Sequence, residues 1–215
     1  MNDTKLPSAA GIILAGGKSR RIGGNKAFLK IGGRTFIEII VDKLRSLFKQ
    51  VIIVANTPGD YRHLQVQIVK DLIPGKGSLG GIYSGLFHSE SHHNFVTACD
   101  MPFLNVEVIK YMQNTIEGYD VIIPKRQKGL EPLHAFYSRN CLWPIKKYID
   151  SGTNLKILDF FSAVKVSHIV DTALRPMDQE GMSFFNINTP ADLESARQYL
   201  PLSVLEQENE QSSFG

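Results

Sequence analysis

Two kinds of apolar pattern alternate along the first half of the chain. Short, mostly apolar runs occur at Ala10–Leu14, Val51–Ala55, Val66–Val69, Asn94–Ala98 and Tyr119–Ile123. Between them, apolar residues recur every three or four positions, which is the spacing of an amphipathic helix. Apolar strands that alternate with helices are typical of a parallel sheet covered on both faces. The pattern predicts a single-domain α/β fold, a mostly parallel twisted sheet with helices on both faces.

The second half is less regular and predicts antiparallel additions to this sheet. The predicted strands are Leu133–Tyr137, Val164–Val170 and Phe184–Ile187, and the predicted helices are one that ends near Ile149, Asn154–Phe161 and one that begins after Thr189. The last helix has the clearest start, because threonine is a good cap and the following proline suits the first turn. The chain turns polar after residue 200. We therefore expect one domain over residues 1–200 and a disordered tail over 201–215.

Composition excludes several classes of protein. The net charge of +3 is too small to predict binding to nucleic acid or to an anionic membrane. The two cysteines, Cys99 and Cys141, lie far apart in sequence, which favours free buried thiols over a disulfide framework. The N-terminus lacks the apolar core of a signal peptide, and no apolar run is long enough to cross a bilayer. We expect a cytoplasmic protein.

The first predicted strand runs directly into a loop rich in glycine and cations. No acidic residue occurs between Asp3 and Glu38, and the cations Lys18, Arg20, Arg21, Lys26, Lys30 and Arg34 all lie in that interval. Glycine lets backbone N–H groups approach an anion closely, and cations supply charge for phosphate oxygens. Ligands of open α/β sheets also bind where such strands end. The loop predicts a polyphosphate site, whereas most basic runs are only solvated surface.

Two familiar phosphate-binding motifs do not fit this loop. Gly17-Lys18-Ser19 imitates the end of a P-loop, but the first glycine of that motif should be residue 12, which is Ile12. A dinucleotide-binding G-x-G-x-x-G also fails, because the glycines occur as pairs. The spacing therefore argues against a GTPase of the P-loop class.

The motif L-A-G-G-x-S-x-R-I-G over residues 14–23, followed by Lys26, resembles the signature loop of nucleotidyltransferases of the sugar-nucleotide pyrophosphorylase type. Within that group it is similar to the molybdenum cofactor guanylyltransferases (MobA). The resemblance implies that GTP is bound by the residues Leu14, Ala15, Gly16 and Gly17. It also implies that Arg21 and Lys26 meet the phosphates. The chain departs from the family at Asn25, where the usual residue is aspartate.

Asp100 follows the strand Asn94–Ala98 and precedes Met101-Pro102. A carboxylate at the C-terminal end of a strand faces the ligand crevice of an α/β sheet, although aspartate before proline is also a common turn residue. Mg²⁺ prefers oxygen ligands and usually takes one or two carboxylates plus phosphate oxygens. The family resemblance implies that Asp100 holds Mg²⁺ and takes part in catalysis with Lys26 and Arg21.

Three further segments match the family in order. Asp71 ends a strand, and the resemblance implies a contact with the nucleoside. Asn186 and Asn188 belong to a late N-x-N-T-P motif and project to one face, so they are either acceptor-side ligands or only strand-end and capping residues. His134 belongs to a segment that the resemblance places on the acceptor side, and it is equally consistent with a simple strand start.

The resemblance implies transfer of GMP from GTP to the phosphate of the molybdopterin cofactor, with release of pyrophosphate. Partners would then include proteins that deliver or receive the molybdenum cofactor. One alternative is a related nucleotidyltransferase with another base or acceptor, such as a cytidylyl or sugar-phosphate enzyme. Another is a GTP-binding module without transfer chemistry. Asp100 together with Lys26 favours catalysis over simple binding.

Overall fold

The computed structural model describes residues 8–16, 25–152 and 156–199. The strands in this part of the chain are β1 (Ala9–Leu14), β2 (Lys30–Ile31), β3 (Arg34–Thr35), β4 (Val51–Val54), β5 (Gln67–Val69), β6 (His93–Ala98), β7 (Val121–Arg126), β8 (Gly129–Leu130), β9 (His134–Ser138) and β10 (Val166–Val170). The α-helices are α1 (Phe36–Arg45), α2 (Gly77–His88), α3 (Val106–Gln113), α4 (Leu142–Asp150), α5 (Asp171–Leu174) and α6 (Pro190–Arg197). Among these described helices, none combines the length and apolarity needed to cross a membrane.

One large sheet has the strand order β10-β7-β9-β6-β1-β4-β5, and β8 pairs with β7. The pairs β1–β4, β1–β6, β4–β5 and β7–β10 are parallel. Strand β9 is antiparallel to both of its neighbours, β6 and β7. The predicted mostly parallel α/β sheet is therefore confirmed, and β9 is the antiparallel addition in its second half. A separate two-stranded hairpin is formed by β2 and β3.

Helices cover both faces of the sheet. Apolar side chains of α1 and α3 pack on one face, and those of α2 and α4 pack on the other. Successive residues of a strand point to opposite faces, so Ile13 belongs to the first core and Ile12 to the second. Both isoleucines are fully buried. The burial on both faces explains why the strand sequence is continuously apolar.

Helix α2 approaches β1 closely because glycines face the strand. A Cβ atom at Gly85 would lie 2.5 Å from Cγ2 of Ile12, and one at Gly81 would lie 3.1 Å from Cδ2 of Leu14. No side chain fits in the first of these gaps without displacing its neighbour. The glycines therefore bring the helix next to the strand end at which the glycine-rich loop begins.

Two helices begin with a side-chain capping box, and the one at Thr189 is the cap that the sequence predicted. Thr35 and Glu38 form a capping box at α1, and Thr189 and Asp192 form another at α6. In each box, two backbone N–H groups that the helix cannot satisfy find side-chain acceptors.

Two predicted elements are different in the structure. Phe184–Ile187 is not a strand, because a 3₁₀ turn occupies Met182–Phe184 and the carboxylate of Asp178 accepts the N–H groups of Met182 and Ser183. The segment Asn154–Phe161 is a 3₁₀ helix over Ile157–Ala163, and residues 153–155 lie outside the described part of the chain. Residues 201–215 lie outside it as well.

Candidate active site

The candidate site lies at the carboxyl edge of the parallel strands. Leu14 at the end of β1 pairs with Ala98 at the end of β6. Strand β4 lies on one side of β1 and β6 on the other, so the chain reverses direction across the sheet at this point. Such a switch point is where open α/β sheets bind their ligands.

Four strands that are neighbours in the sheet are each followed, two residues after the strand ends, by a polar residue or a glycine. The residues two positions beyond the ends of β1, β4, β5 and β6 are Gly16, Asn56, Asp71 and Asp100. Because parallel strands end at one edge, this shared offset groups the four residues on one side of the sheet. The sequence prediction named Gly16, Asp71 and Asp100 but missed Asn56, although the same strand-end argument would have found it.

Lys26, Asp100 and Asn188 are brought together from three distant parts of the sequence. Lys26 Nζ lies 3.3 Å from Asp100 Oδ2 and also donates a hydrogen bond to Asn188 Oδ1. The side chains of Lys26 and Asp100 are only 15% and 18% exposed. A lysine ammonium is therefore held beside a carboxylate in a largely sheltered position, where charges interact more strongly than in water.

The late N-x-N-T-P motif is anchored to Asp100 through the backbone. The N–H of Ile187 donates to the carbonyl oxygen of Asp100 at 2.9 Å. Asp192 Oδ2 accepts the N–H groups of Asn188 and Thr189, each at 2.8 Å. The hydrogen bond from the Asn188 backbone is the main cause that lowers the pKa of Asp192. The start of α6 thus fixes the backbone that carries Asn188.

One oxygen of Asp100 has the character of a metal ligand. Oδ1 is buried and accepts no hydrogen bond from the described residues. A buried carboxylate oxygen without a donor is costly unless a cation or a ligand completes it. No cluster of three or more His, Cys, Asp or Glu residues that could hold a metal occurs in the described ranges. A single protein carboxylate fits Mg²⁺ when phosphate oxygens provide other ligands.

Asn25 takes part in a hydrogen-bond chain that reaches the end of β1. Its Nδ2 donates to the hydroxyl of Tyr61 at 2.7 Å, and that hydroxyl donates to the carbonyl oxygen of Ala15 at 3.3 Å. Asn25 Oδ1 accepts the N–H of Ala27 at 3.1 Å and caps the 3₁₀ turn Lys26–Phe28. Tyr61 is fully buried, and burial raises the pKa of its hydroxyl. Asn25 therefore connects Lys26 and Ala15 through one neutral tyrosine.

A cavity of about 350 Å³ opens beside the ends of β1, β4 and β5. The residues that line it are Leu14, Gly16, Val54, Ala55, Asn56, Asp71, Gly75, Gly77, Ser78 and Gly81. We call it the small cavity. Asp71 is held at its wall because Oδ1 accepts the N–H of Ile73 and the hydroxyl of Ser84, both at 3.0 Å. Three of the predicted nucleotide-binding residues, Leu14, Gly16 and Asp71, thus share one cavity.

A second and larger cavity has a volume of about 900 Å³. We call it the large cavity. Asn186 and Asn188 both line it, and Asn188 links it to Lys26 through the hydrogen bond described above. Its other walls include Arg126, Phe184 and the first and last turns of α6.

His134 lines neither cavity, and it is the first residue of β9, which agrees with the alternative of a simple strand start. The residue is fully buried, and its ring centroid lies 4.5 Å from that of Phe184 and 5.0 Å from that of Phe95. Burial lowers the pKa of His134 to about 3, although the backbone of Ser183 partly offsets this effect. A neutral, enclosed imidazole is a core residue here.

Two of the predicted site residues, Gly17 and Arg21, lie outside the described residues. The two cysteines lie within them. Burial raises the pKa of the Cys99 thiol to about 12, so the thiol beside Asp100 stays protonated at neutral pH and is not a nucleophile. Cys99 and Cys141 are both free, as predicted.

Known proteins resemble this chain in both sequence and fold. Residues 11–166 match the family model of the MobA-like NTP transferase domain. A molybdenum cofactor guanylyltransferase of Desulfosudis oleivorans is 42% identical over 193 residues, which are 89% of this chain and 95% of that protein. A probable molybdenum cofactor guanylyltransferase of Pelotomaculum thermopropionicum is 39% identical over 189 residues, which are 88% of this chain and 92% of that protein.

A solved structure agrees with these sequence matches. Molybdopterin-guanine dinucleotide biosynthesis protein A from Archaeoglobus fulgidus superposes with a TM-score of 0.77 at 32% identity and covers 88% of this chain and 97% of its own. A 4-diphosphocytidyl-2C-methyl-D-erythritol synthase from Anaerococcus prevotii has a TM-score of 0.66 at 14% identity, which shows a shared fold only. The family match spans most of the sheet and both sides of the switch point, so this chain belongs to the MobA-like NTP transferase family.

Proposed function

We propose that this protein transfers GMP from GTP to the phosphate of the molybdopterin cofactor and releases pyrophosphate. Relatives that are about 40% identical are named for this activity. The observation that supports it best is the contact of Lys26 with Asp100 and with Asn188, which lines the large cavity. Joining two anionic substrates requires two binding regions and a cation near the reacting phosphates, and we assign these roles to the two cavities and to Lys26.

The small cavity is suited to the guanosine end of GTP. Leu14, Gly16 and Asp71 line it, and we expect backbone groups of the first two and the carboxylate of Asp71 to meet the guanosine. Guanine offers N–H donors on one edge, so carbonyl and carboxylate oxygens complement it. Asn56 adds an amide that both donates and accepts. In this arrangement, the phosphates point from the strand ends toward Lys26.

The reaction needs orientation more than covalent help from the protein. An oxygen of the acceptor phosphate attacks the α-phosphorus, a new P–O bond forms, and the bond to the β-phosphate oxygen breaks. Negative charge develops on the transferring phosphoryl group and on the departing pyrophosphate. The ammonium of Lys26 is already fixed by Asp100 and Asn188, so it stabilises that charge without reorganisation. Holding two anionic substrates in line is the larger task.

Asp100 is the residue that would hold Mg²⁺, since its buried Oδ1 lacks a donor among the described residues. When bound, Mg²⁺ would supply Lewis-acid neutralisation of phosphate oxygens. No side-chain nucleophile is required, because the acceptor phosphate is the nucleophile. The protonated thiol of Cys99 agrees with this scheme.

The substrates suggest where the protein works. GTP and the molybdopterin cofactor are cytoplasmic metabolites in such a reaction, so we place the activity in the cytoplasm. Membership of this family makes proteins that deliver the molybdenum cofactor or receive the dinucleotide the expected partners.

The test is product analysis with the purified protein. The protein is incubated with Mg²⁺, molybdopterin and either GTP or CTP, and pyrophosphate and the dinucleotide are measured together. We expect both products with GTP and much slower formation with CTP. Equal or faster turnover of CTP would assign the protein to a cytidylyl branch. GTP binding without pyrophosphate release would make it a binding module.

A further inference from the structure

The large cavity contains an arginine whose guanidinium is fixed on several sides. Arg126, the last residue of β7, donates from Nε to Asp171 Oδ1 at 3.0 Å and from Nη1 to the carbonyl oxygen of Gly181 at 3.5 Å. Its Cζ lies 4.5 Å from the ring centroid of Phe184. About 24% of the side chain is exposed. Its position is therefore set by an ion pair, a carbonyl group and an aromatic ring.

Gly181 makes room for this guanidinium. Its φ is +68°, and a Cβ atom there would lie 2.2 Å from Nη2 of Arg126. A side chain at residue 181 would therefore be strained and would also displace the arginine. Glycine at residue 181 therefore leaves room for the guanidinium in its present position.

Arg126 keeps donors for a ligand after these contacts. A guanidinium has five N–H bonds in a rigid plane. Nη2 makes no hydrogen bond to the residues that the structure describes, and Nη1 uses one of its two hydrogens. Asp171 is also approached by Arg175, whose Nε lies 3.6 Å from Oδ2. Asp171 is therefore shared by two arginines, and Glu131 and Glu180 also line this cavity, so what Arg126 offers a ligand is its remaining N–H donors and not an excess of positive charge.

The position of Arg126 separates it from the transferred phosphate. Through Tyr137 of β9, Asn94 of β6 is level with Val121 of β7. Counting forward along these parallel strands makes Asp100 nearly level with Arg126. One strand lies between them, so the two sites are roughly 10 Å apart across the sheet. Arg126 is too distant to contact a phosphate beside Lys26, but it can contact the far end of an acceptor that begins there.

We infer that Arg126, stacked on Phe184, binds the heterocyclic end of the acceptor and donates from its terminal nitrogens to the carbonyl oxygen of the pterin ring. This inference rests on the proposed function, because it takes molybdopterin as the acceptor. A planar donor group held at a fixed angle suits a planar heterocycle, whereas lysine would provide only a mobile point charge. Arg126 is then a residue of acceptor specificity.

The experiment compares Arg126→Ala with the wild type in GMP transfer at saturating GTP. We expect KM for molybdopterin to rise about 10- to 100-fold, because the pterin carbonyl loses its donor in a desolvated site. KM for GTP should stay within about twofold and kcat within about threefold. Arg126→Lys should lie between the wild type and the alanine variant, since it retains charge but loses the planar donor group.

Two variants separate ligand binding from a structural role. Asp171→Asn weakens the ion pair but leaves the guanidinium, so KM for molybdopterin should rise far less than in Arg126→Ala. Arg175→Ala removes the other arginine from the same carboxylate, at a side chain that is 58% exposed, and should change KM by about twofold or less. Equal effects of Asp171→Asn and Arg126→Ala, with parallel losses of Tm, would overturn the inference.

Failure of the proposed function would be recognised separately. If the wild type transfers GMP, the proposed function holds. An unchanged KM for molybdopterin in Arg126→Ala would then contradict the role of Arg126 alone. If the wild type binds GTP but makes no dinucleotide, equilibrium dialysis with metal-free molybdopterin decides the matter. Weaker binding by Arg126→Ala supports the role of Arg126, and equal binding refutes it.

Discussion

The two halves of the proposed site, one that we assign to the nucleotide and one that we assign to the acceptor, are built in different ways. In the nucleotide half, residues 8–16 and 25–100, the walls come from strand ends, glycines and backbone groups, and α2 packs closely on β1. In the acceptor half, residues 101–152 and 156–199, the walls come from side chains such as Arg126 and Phe184 on irregular segments. Backbone walls suit a substrate that is the same throughout a family, whereas side-chain walls are easily altered for a new acceptor. Lys26 joins the two halves through Asn188.

The largest effect is expected where the two halves meet. Lys26→Ala should lower kcat about 10²- to 10³-fold, because the variant lacks the preorganised cation that stabilises the negative charge developed during transfer. GTP affinity, measured by calorimetry, should fall much less. Lys30→Ala is the matched control, since Lys30 lies in the same acid-free stretch but is exposed, and its kcat should be near that of the wild type. Comparable losses in both variants would mean that general positive charge is what matters.

The close packing of the nucleotide half makes it sensitive to a single methyl group. Gly85→Ala should lower the free energy of unfolding by about 1–3 kcal/mol, because the new Cβ would overlap Ile12 in a fully buried position. Chemical denaturation measures the change. In contrast, Gly59→Ala adds a methyl group with no atom within 4 Å and should be neutral or slightly stabilising. A stable Gly85→Ala variant would show that α2 can move away from β1 at little cost.

A smaller effect, on KM for GTP, should distinguish the removal of the hydroxyl from two buried tyrosines, one in each half. Tyr61→Phe removes the hydroxyl that contacts Ala15. KM for GTP should rise about fivefold, because the loss of one hydrogen bond costs about 1 kcal/mol. Tyr137→Phe removes a hydroxyl that donates to the carbonyl oxygen of Pro132 at 2.7 Å, so it should lower Tm without changing KM for GTP. Identical KM values in both variants would leave the Asn25–Tyr61–Ala15 chain without a role in nucleotide binding.

The sequence predicted the nucleotide half well because its signals are local. Apolar runs marked β1, β4 and β6, and Asp71 and Asp100 were identified by their places after strands. Asn56 was missed only because the same rule was not applied to β4. Resemblance to a family, rather than periodicity, connected Lys26 with Asp100 and Asn188, which lie 74 and 162 residues from it.

The acceptor half was predicted less well because its contacts are long-range. The strand predicted at Phe184–Ile187 does not form, because Asp178 captures two backbone N–H groups and Ile187 donates to Asp100 instead of to a neighbouring strand. Arg126 was not predicted as a site residue from the sequence, because its partners Asp171 and Gly181 are 45 and 55 residues away. His134 was assigned to the site by resemblance, yet its side chain belongs to the core.

We propose that catalysis occurs at the contact of Lys26 with Asp100 and that Asp100 is the carboxylate that holds Mg²⁺. The most direct measurement is the rate of dinucleotide formation by the wild type and by Asp100→Asn as Mg²⁺ is titrated, with circular dichroism to confirm that both are folded. We expect the folded variant to lose metal-dependent turnover at every Mg²⁺ concentration that saturates the wild type. Near wild-type turnover by Asp100→Asn at low Mg²⁺ would contradict the account.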